Sequence, residues 1–337
     1  MKQFYVTDLK HGLQLNNETF AIKDATRQTT KAGKPFFRLT LQDKTGSIGA
    51  QIWSDSFASV DTKTISSGRV VMIDAMVEDY KGTLQLNISK LSAVDETALE
   101  EFVEASDFDL DDLWKQLREH IDSIQKPNIK KFLEKFFGDQ DFCVRFKTAP
   151  AAEEIHHSFR GGLLEHVLEM LAIIDSFKKF YPEADYDIAK AGAILHDVGK
   201  LEEMKVEGTV VQRTKAGSLL GHIPLGFEMV SRYADNVLSL EEALNIKHII
   251  LSHHGQLEYG SPVKPATIEA IMVSEADDTS SKVRIFQKVL RRASSADGEF
   301  TEYDRILGTK VYKNTTLKSE ATSLDDSELA HEQSSFA

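Results

Sequence analysis

In separate stretches between residues 20 and 88 apolar side chains recur at every second position, the period of a half-buried strand. Phe20-Ala21-Ile22-Lys23-Asp24-Ala25 leads into a polar turn at 28–34 containing Gly33, and Pro35–Leu41 then alternates cleanly. Asp43-Lys44-Thr45-Gly46 reads as a hairpin turn, after which Ser47–Trp53 alternates again. Arg69–Glu78 and Leu84–Ile88 pair around Tyr80-Lys81-Gly82. About five strands with Gly turns predict a small closed barrel over 1–94.

From Leu113 the period becomes helical. Leu113, Leu117, Ile121 and Ile124 form one stripe, broken by Pro127, and Ile129–Phe137 forms a second helix ended by Gly138. Leu163, His166, Val167, Met170 and Ile174 share a face, as do Ile188, Ala191, Ile194, Leu195 and Val198, with Gly199 as a stop. A segment opens at Gly221-His222-Ile223, and helices are expected over Leu244–Ser252 and Ile268–Phe286. The chain thus divides into a β domain (1–94), an acidic linker (95–115), a helical domain (116–313) and a tail (314–337). The tail is rich in Ser, Thr, Glu and Asp and is expected to be disordered.

Composition sharpens this division. The net charge of −13 is uneven: residues 1–94 carry 12 Lys and Arg against 9 Asp and Glu, the remainder 28 against 44. A mildly basic module suits phosphates; an acidic one suits cations. The single Cys143 excludes an internal disulfide and, between Phe142 and Val144, reads as a core residue; it fits a reducing cytoplasm. No apolar run approaches a membrane span, and Met1-Lys2-Gln3-Phe4 lacks the apolar core of a signal peptide.

The residues that carry chemistry lie at helix ends and inner faces. His196-Asp197 is either an ion-paired structural couple or two ligands of one divalent cation. Taken singly, His166 reads as a satisfied core histidine, His222 as a helix cap, His254 as solvated and Asp277 as an exposed acid. Chance does not readily place all of them on five successive helices. In the β region, exposed Phe37, Trp53 and Tyr80 would offer stacking faces to unpaired bases, with Lys34, Arg38 and Lys81 near the phosphates; taken singly, an aromatic on a strand is more often core.

The strand order resembles an OB-fold of the nucleic-acid-binding kind. The pattern His…His-Asp…His…His-His…Asp resembles the HD superfamily of metal-dependent phosphohydrolases, an all-α fold, over about 150–290. His157-Ser158-Phe159-Arg160-Gly161-Gly162-Leu163-Leu164-Glu165-His166, Glu207-Gly208, Leu220-Gly221-His222-Ile223 and Leu251 to Pro262 resemble, more narrowly, the YhaM-type 3′→5′ exoribonucleases. That resemblance implies a multidomain chain, an OB-fold barrel before a helical HD bundle. It implies His166, His196, Asp197 and Asp277 on one cation, and His222 with His253 on a second that shares Asp197; helical phase lets either His253 or His254 turn inward. The family pattern has an aspartate where this chain has Ser280, a change at an accessory contact and not at a ligand, while Lys282 is retained. His157, Arg160 and Lys282 would meet phosphate or support the ligands, and Lys200 would neutralise charge on the phosphate.

The implied reaction is attack of metal-activated water on the last phosphodiester of single-stranded RNA, with single-stranded DNA tolerated, releasing nucleoside 5′-monophosphates. Imidazole–carboxylate sites suit Mn²⁺, Fe²⁺, Co²⁺ or Zn²⁺, with Mn²⁺ first. The alternatives are a phosphodiesterase of small nucleotides, which leaves the barrel without a task, and a non-catalytic nucleic-acid-binding protein. A homo-oligomer is compatible with this activity.

Overall fold

The computed structural model describes residues 2–94, 101–103, 106, 108–152, 159–292 and 298–313. The His157 assignment, part of the expected acidic linker and the 314–337 tail lie outside them. The chain separates into two compact units, one ending at Ser281 and the other beginning at Lys282.

Strands β1 (Gln14–Thr29), β2 (Pro35–Asp43), β3 (Gly46–Trp53), β4 (Val70–Tyr80) and β5 (Thr83–Ala93) close a barrel in the order β1-β2-β3-β5-β4. Every neighbouring pair is antiparallel except β3–β5, which run parallel, and β4 closes back onto β1. The alternation sends Leu39, Leu41, Ile48, Ala50, Ile52, Val71, Ile73, Leu86 and Ile88 inward, each to under a tenth exposure. Burying such a side chain contributes about 1.5–3 kcal/mol, which locks the register. Residues 101–103, expected in the linker, lie on the barrel instead: Phe102 packs on Ala21 and Val70, and Lys44 N donates to Glu101 O at 3.0 Å.

The first unit continues with α1 (Leu110–Asp122), α2 (Pro127–Phe137), α3 (Gln140–Thr148), α4 (Gly162–Phe177) and α5 (Tyr186–Leu195). After the turn at 196–199 come α6 (Lys200–Glu203), α7 (Lys215–Leu220), α8 (His222–Ala234) and α9 (Leu240–Ser252). Helix α10 (Ile268–Arg292) crosses into the second unit. The acids at 109–112 begin α1 rather than extend a linker: Asp109 accepts from the backbone N–H of Asp111 and Asp112. Pro127 does not merely break a helix but opens α2, where its missing N–H costs no hydrogen bond. Helix α3, which the periodicity did not reveal, carries Cys143 half-buried against the carbonyl of Phe137.

Leu117, Phe132, Leu164, Ile194, Val230, Ile249 and Val273 knit α1, α2, α4, α5, α8, α9 and α10 into one core. The region expected to be all-α also holds two short hairpins, β6 (Met204–Glu207) with β7 (Val210–Arg213), and β8 (Phe300–Asp304) with β9 (Thr309–Tyr312). The first turns at Gly208, whose φ of 62° suits glycine. The second lies in the second unit, where Val311 N donates to Thr301 Oγ1 at 3.0 Å. Among the described residues no helix is long and apolar enough to cross a membrane.

Candidate metal centre and nucleic-acid interface

Five elements deliver the imidazoles and carboxylates to one place. His166 lies on the inner face of α4, and His196 and Asp197 follow the last residue of α5. His222 opens α8, His253 and His254 follow α9, and Asp277 lies within α10. Gly199 makes the approach of α8 possible: a Cβ there would sit 1.9 Å from the carbonyl oxygen of His222. The helix expected to run to Val198 stops at Leu195, and His196 and Asp197 lie buried in the turn that follows.

His166 Nε2 lies 3.3 Å from Asp277 Oδ1, and His196 Nε2 lies 3.2 Å from Asp197 Oδ2. The other carboxylate oxygen, Asp197 Oδ1, faces His222 Nε2 at 3.5 Å and His253 Nε2 at 3.7 Å. Among the described residues potential ligand atoms fall into two groups, His166, His196 and Asp197, and His222, His253 and His254; within each group all lie within 4.8 Å of one another. The two oxygens of Asp197 thus face different histidines. His253 and His254 both turn inward, since the helix ends just before them and frees consecutive side chains to converge.

The outer nitrogens explain the aim of the inner ones. Nδ1 of His196 and of His253 lie 2.8 Å from the carbonyls of Ala193 and Ile250, and His254 Nδ1 lies 2.8 Å from the carbonyl of Tyr259. His222 Nδ1 faces Glu203 Oε2 at 3.4 Å. His166 Nδ1 meets Ser280 Oγ at 2.9 Å, and that hydroxyl donates to Glu169 Oε2 at 2.6 Å. Acceptors at Nδ1 favour the Nδ1–H tautomer and leave the Nε2 lone pair pointing inward. Ser280, Glu169 and Glu203 are contributions the motif reading missed; only Ser280 had been noticed, as a departure.

Burial disfavours charge on His196, yet the adjacent Asp197 carboxylate outweighs it and raises its pKa. Burial also opposes ionisation of Asp197, but Lys200, with Nζ 2.5 Å away, and then His196 hold its carboxyl well below the usual range. Asp277 is likewise held low against burial, chiefly by His166. Burial, reinforced by His196 and His254, pushes His253 well down, and burial lowers His254. Imidazoles pushed toward the neutral form beside a carboxylate held toward the ionised form are the ligands a cation needs.

These residues fit a divalent cation. Nε2 of His196, His222 and His253 and Oδ1 of Asp197 are buried without a hydrogen-bond partner among the described residues. Such groups cost about 1–3 kcal/mol each when left unsatisfied, and one or two cations would satisfy them together. Arg160 is exposed just before α4, and Lys282 is exposed on α10, in the second unit.

On the barrel, Arg38, Tyr80 and Lys81 line a groove of about 320 Å³ with Gln51, Thr83 and Gln85. Tyr80 is 60% exposed, and Lys81 Nζ lies 5.4 Å from its ring centre. Lys34 and Trp53 lie outside that lining. Phe37, expected to be exposed, shares the inward parity of Leu39 and Leu41 and packs half-buried against Phe57, ring centres 5.5 Å apart. Phe36, not singled out from the sequence, stacks instead on Trp53 at 5.1 Å. The parity of Arg38 carried that signal.

Comparison with known proteins adds the following. The OB-fold nucleic acid binding domain family matches residues 22–94, and the HD domain family matches 163–282. The 3′-5′ exoribonuclease YhaM of Oceanobacillus iheyensis is 34% identical over 286 residues, covering 83% of this chain and 88% of that one. Its namesake from Shouchella clausii is 36% identical over 286 residues, covering 83% and 87%. That from Halalkalibacterium halodurans is 33% identical over 299 residues, covering 87% and 91%. At such identity over nearly the full length of both chains, this protein belongs to the YhaM family of 3′-5′ exoribonucleases.

Proposed function

We propose that this chain is a metal-dependent nuclease that shortens single-stranded RNA from its 3′ end to nucleoside 5′-monophosphates, tolerating single-stranded DNA. The observation that carries this reading is the convergence of five inward-facing imidazoles with the carboxylates of Asp197 and Asp277, with buried ligand atoms otherwise unsatisfied. His166, His196, Asp197 and Asp277 would hold one cation, and His222, His253 and His254 a second, with Asp197 shared; Mn²⁺ is the first choice, then Fe²⁺, Co²⁺ or Zn²⁺. Such cations supply Lewis-acid polarisation of the phosphate and a water acidified toward neutrality.

The protein's own residues do the rest. Asp197, anchored by Lys200, keeps its charge in a buried site, so the ligand geometry is set before substrate arrives. The hydrogen bonds at Nδ1 hold the imidazole rings in place. Lys200, beside Asp197, would offset the charge that gathers on the phosphate in the transition state. Water adds to phosphorus, the bond to the 3′ oxygen of the preceding nucleotide breaks, and that oxygen takes a proton. The barrel groove would hold the strand behind the cut through Tyr80, Arg38 and Lys81, with the Phe36–Trp53 stack as a second platform.

The test is end-labelled single-stranded RNA with Mn²⁺ and the Asp197→Ala variant. We expect stepwise shortening from the 3′ end, abolished by chelator and by the substitution. Binding without shortening, or cleavage of small nucleotides alone, overturns the reading.

A further inference from the structure

Hairpin β6–β7 begins at the metal centre and ends on the barrel. At its base, Glu203 faces His222 Nδ1 through one carboxylate oxygen (3.4 Å) and Arg213, the last residue of β7, through the other (3.4 Å). The Glu203 carbonyl also accepts from Thr214 N at 2.9 Å, so both ends of the hairpin are tied to the residue that faces His222.

At its tip the contact is backbone to backbone. Gly208 (φ 62°) meets Gly68 (φ 86°) in the loop before β4. A Cβ on Gly208 would lie 2.3 Å from the Gly68 carbonyl oxygen, and one on Gly68 would lie 2.7 Å from that of Glu207. No side chain fits at either position without parting the two surfaces. Thr209 N donates to Gly68 O at 3.3 Å, and Gln42 Nε2 donates both to Thr209 O at 2.8 Å and to Phe102 O at 3.2 Å. Thr209 and Val210 are buried on the barrel side of the tip, whereas Lys205 and Val206 on the outgoing strand are exposed.

We propose that this hairpin is a clasp: the Gly68–Gly208 contact and the Gln42 bridge fix the barrel to the helical domain, and degradation of long strands depends on that attachment. Its residues position the strand and do not touch the reacting atoms. The proposal rests on the nuclease reading for its consequence, but not for the attachment itself. A strand held at the barrel raises the effective concentration of its own 3′ end at the centre, and only a fixed barrel keeps that gain.

The experiment uses the full chain carrying Gly208→Val and, separately, the milder Gln42→Ala, each checked for an unchanged helical circular dichroism spectrum. Small-angle scattering reports the attachment; the KM for a long single strand and the hydrolysis of bis-p-nitrophenyl phosphate report its consequence. We expect a larger radius of gyration and a KM raised roughly tenfold for the long strand, with small-diester hydrolysis within about twofold of the parent. Parental scattering and parental KM in both variants overturn the clasp, as does equal loss on long and small substrates. A parent protein inactive on RNA sinks the nuclease reading alone, because scattering still decides the attachment.

Discussion

At His166 a hydroxyl stands between an imidazole and a carboxylate. Ser280 Oγ faces Nδ1 at 2.9 Å and donates to Glu169 at 2.6 Å, which a hydroxyl does by accepting and donating at once. Through Ser280, the Glu169 carboxylate would make Nε2 a better donor to a cation. Ser280→Ala removes the relay without adding bulk, and we expect affinity for Mn²⁺ to fall about 10–100-fold by calorimetric titration of metal-free protein. Unchanged affinity would show the relay to be idle. Glu203 opposite His222 has the same form, with burial opposing its ionisation and the hydrogen bond from His222 lowering its pKa.

Between elements, α4 and α5 must stay aligned for His166 and His196 to meet, and a polar clamp lies between these helices. Lys190 on α5, 5% exposed, reaches Asp175 on α4 at 3.4 Å and Ser123 Oγ at 3.1 Å. Burial lowers the Lys190 pKa, and Asp175 opposes that. Lys190 is buried, while Asp175 is a third exposed and also pairs with Lys178 at 2.8 Å. Asp175→Asn, which strands the buried ammonium, should therefore cost about 1–3 kcal/mol in chemical denaturation, while Lys190→Met, which leaves Asp175 paired with Lys178, should cost less. The sign with pH follows. Burial opposes ionisation of Asp175, but Lys178 and Lys190 hold its folded pKa below that of the unfolded chain. Its contribution is intact above about pH 4 and is lost as pH falls through the folded value. Asp175→Asn should flatten that acid limb; an unchanged limb would remove Asp175 from the account.

Over the whole molecule, charge and geometry divide the work. Residues 1–94 hold the Lys and Arg excess and the rest the Asp and Glu excess, so a polyanion meets the barrel more readily than the helices. Replacing Tyr80 and Lys81 together by Ala should remove about 1–3 kcal/mol of stacking and one phosphate contact. Fluorescence anisotropy across a salt series should show single-strand affinity down by roughly tenfold or more and a shallower salt slope, with hydrolysis of a small diester preserved. Affinity and slope matching the parent would move the strand off this groove.

Periodicity and caps are local, and the sequence carried them. Alternation marked the five barrel strands, and helical stripes marked most of the helices. The histidines and acids stood out because each sits at a helix end or inner face. Helix α3 and the β6–β7 hairpin escaped because short elements hold too few periods to register. Which residues meet was a matter for the tertiary structure. Ser280 and His166 are separated by 114 positions, and no local pattern couples them. The end of α9 turned both His253 and His254 inward, and strand parity against Phe57 drew Phe37 in while leaving Phe36 to Trp53. The tip of β6–β7 found Gly68 across the fold because only two residues without Cβ let backbones approach so closely. Hydrophobic order is written along the chain; the meeting of polar groups depends on packing between distant parts of it.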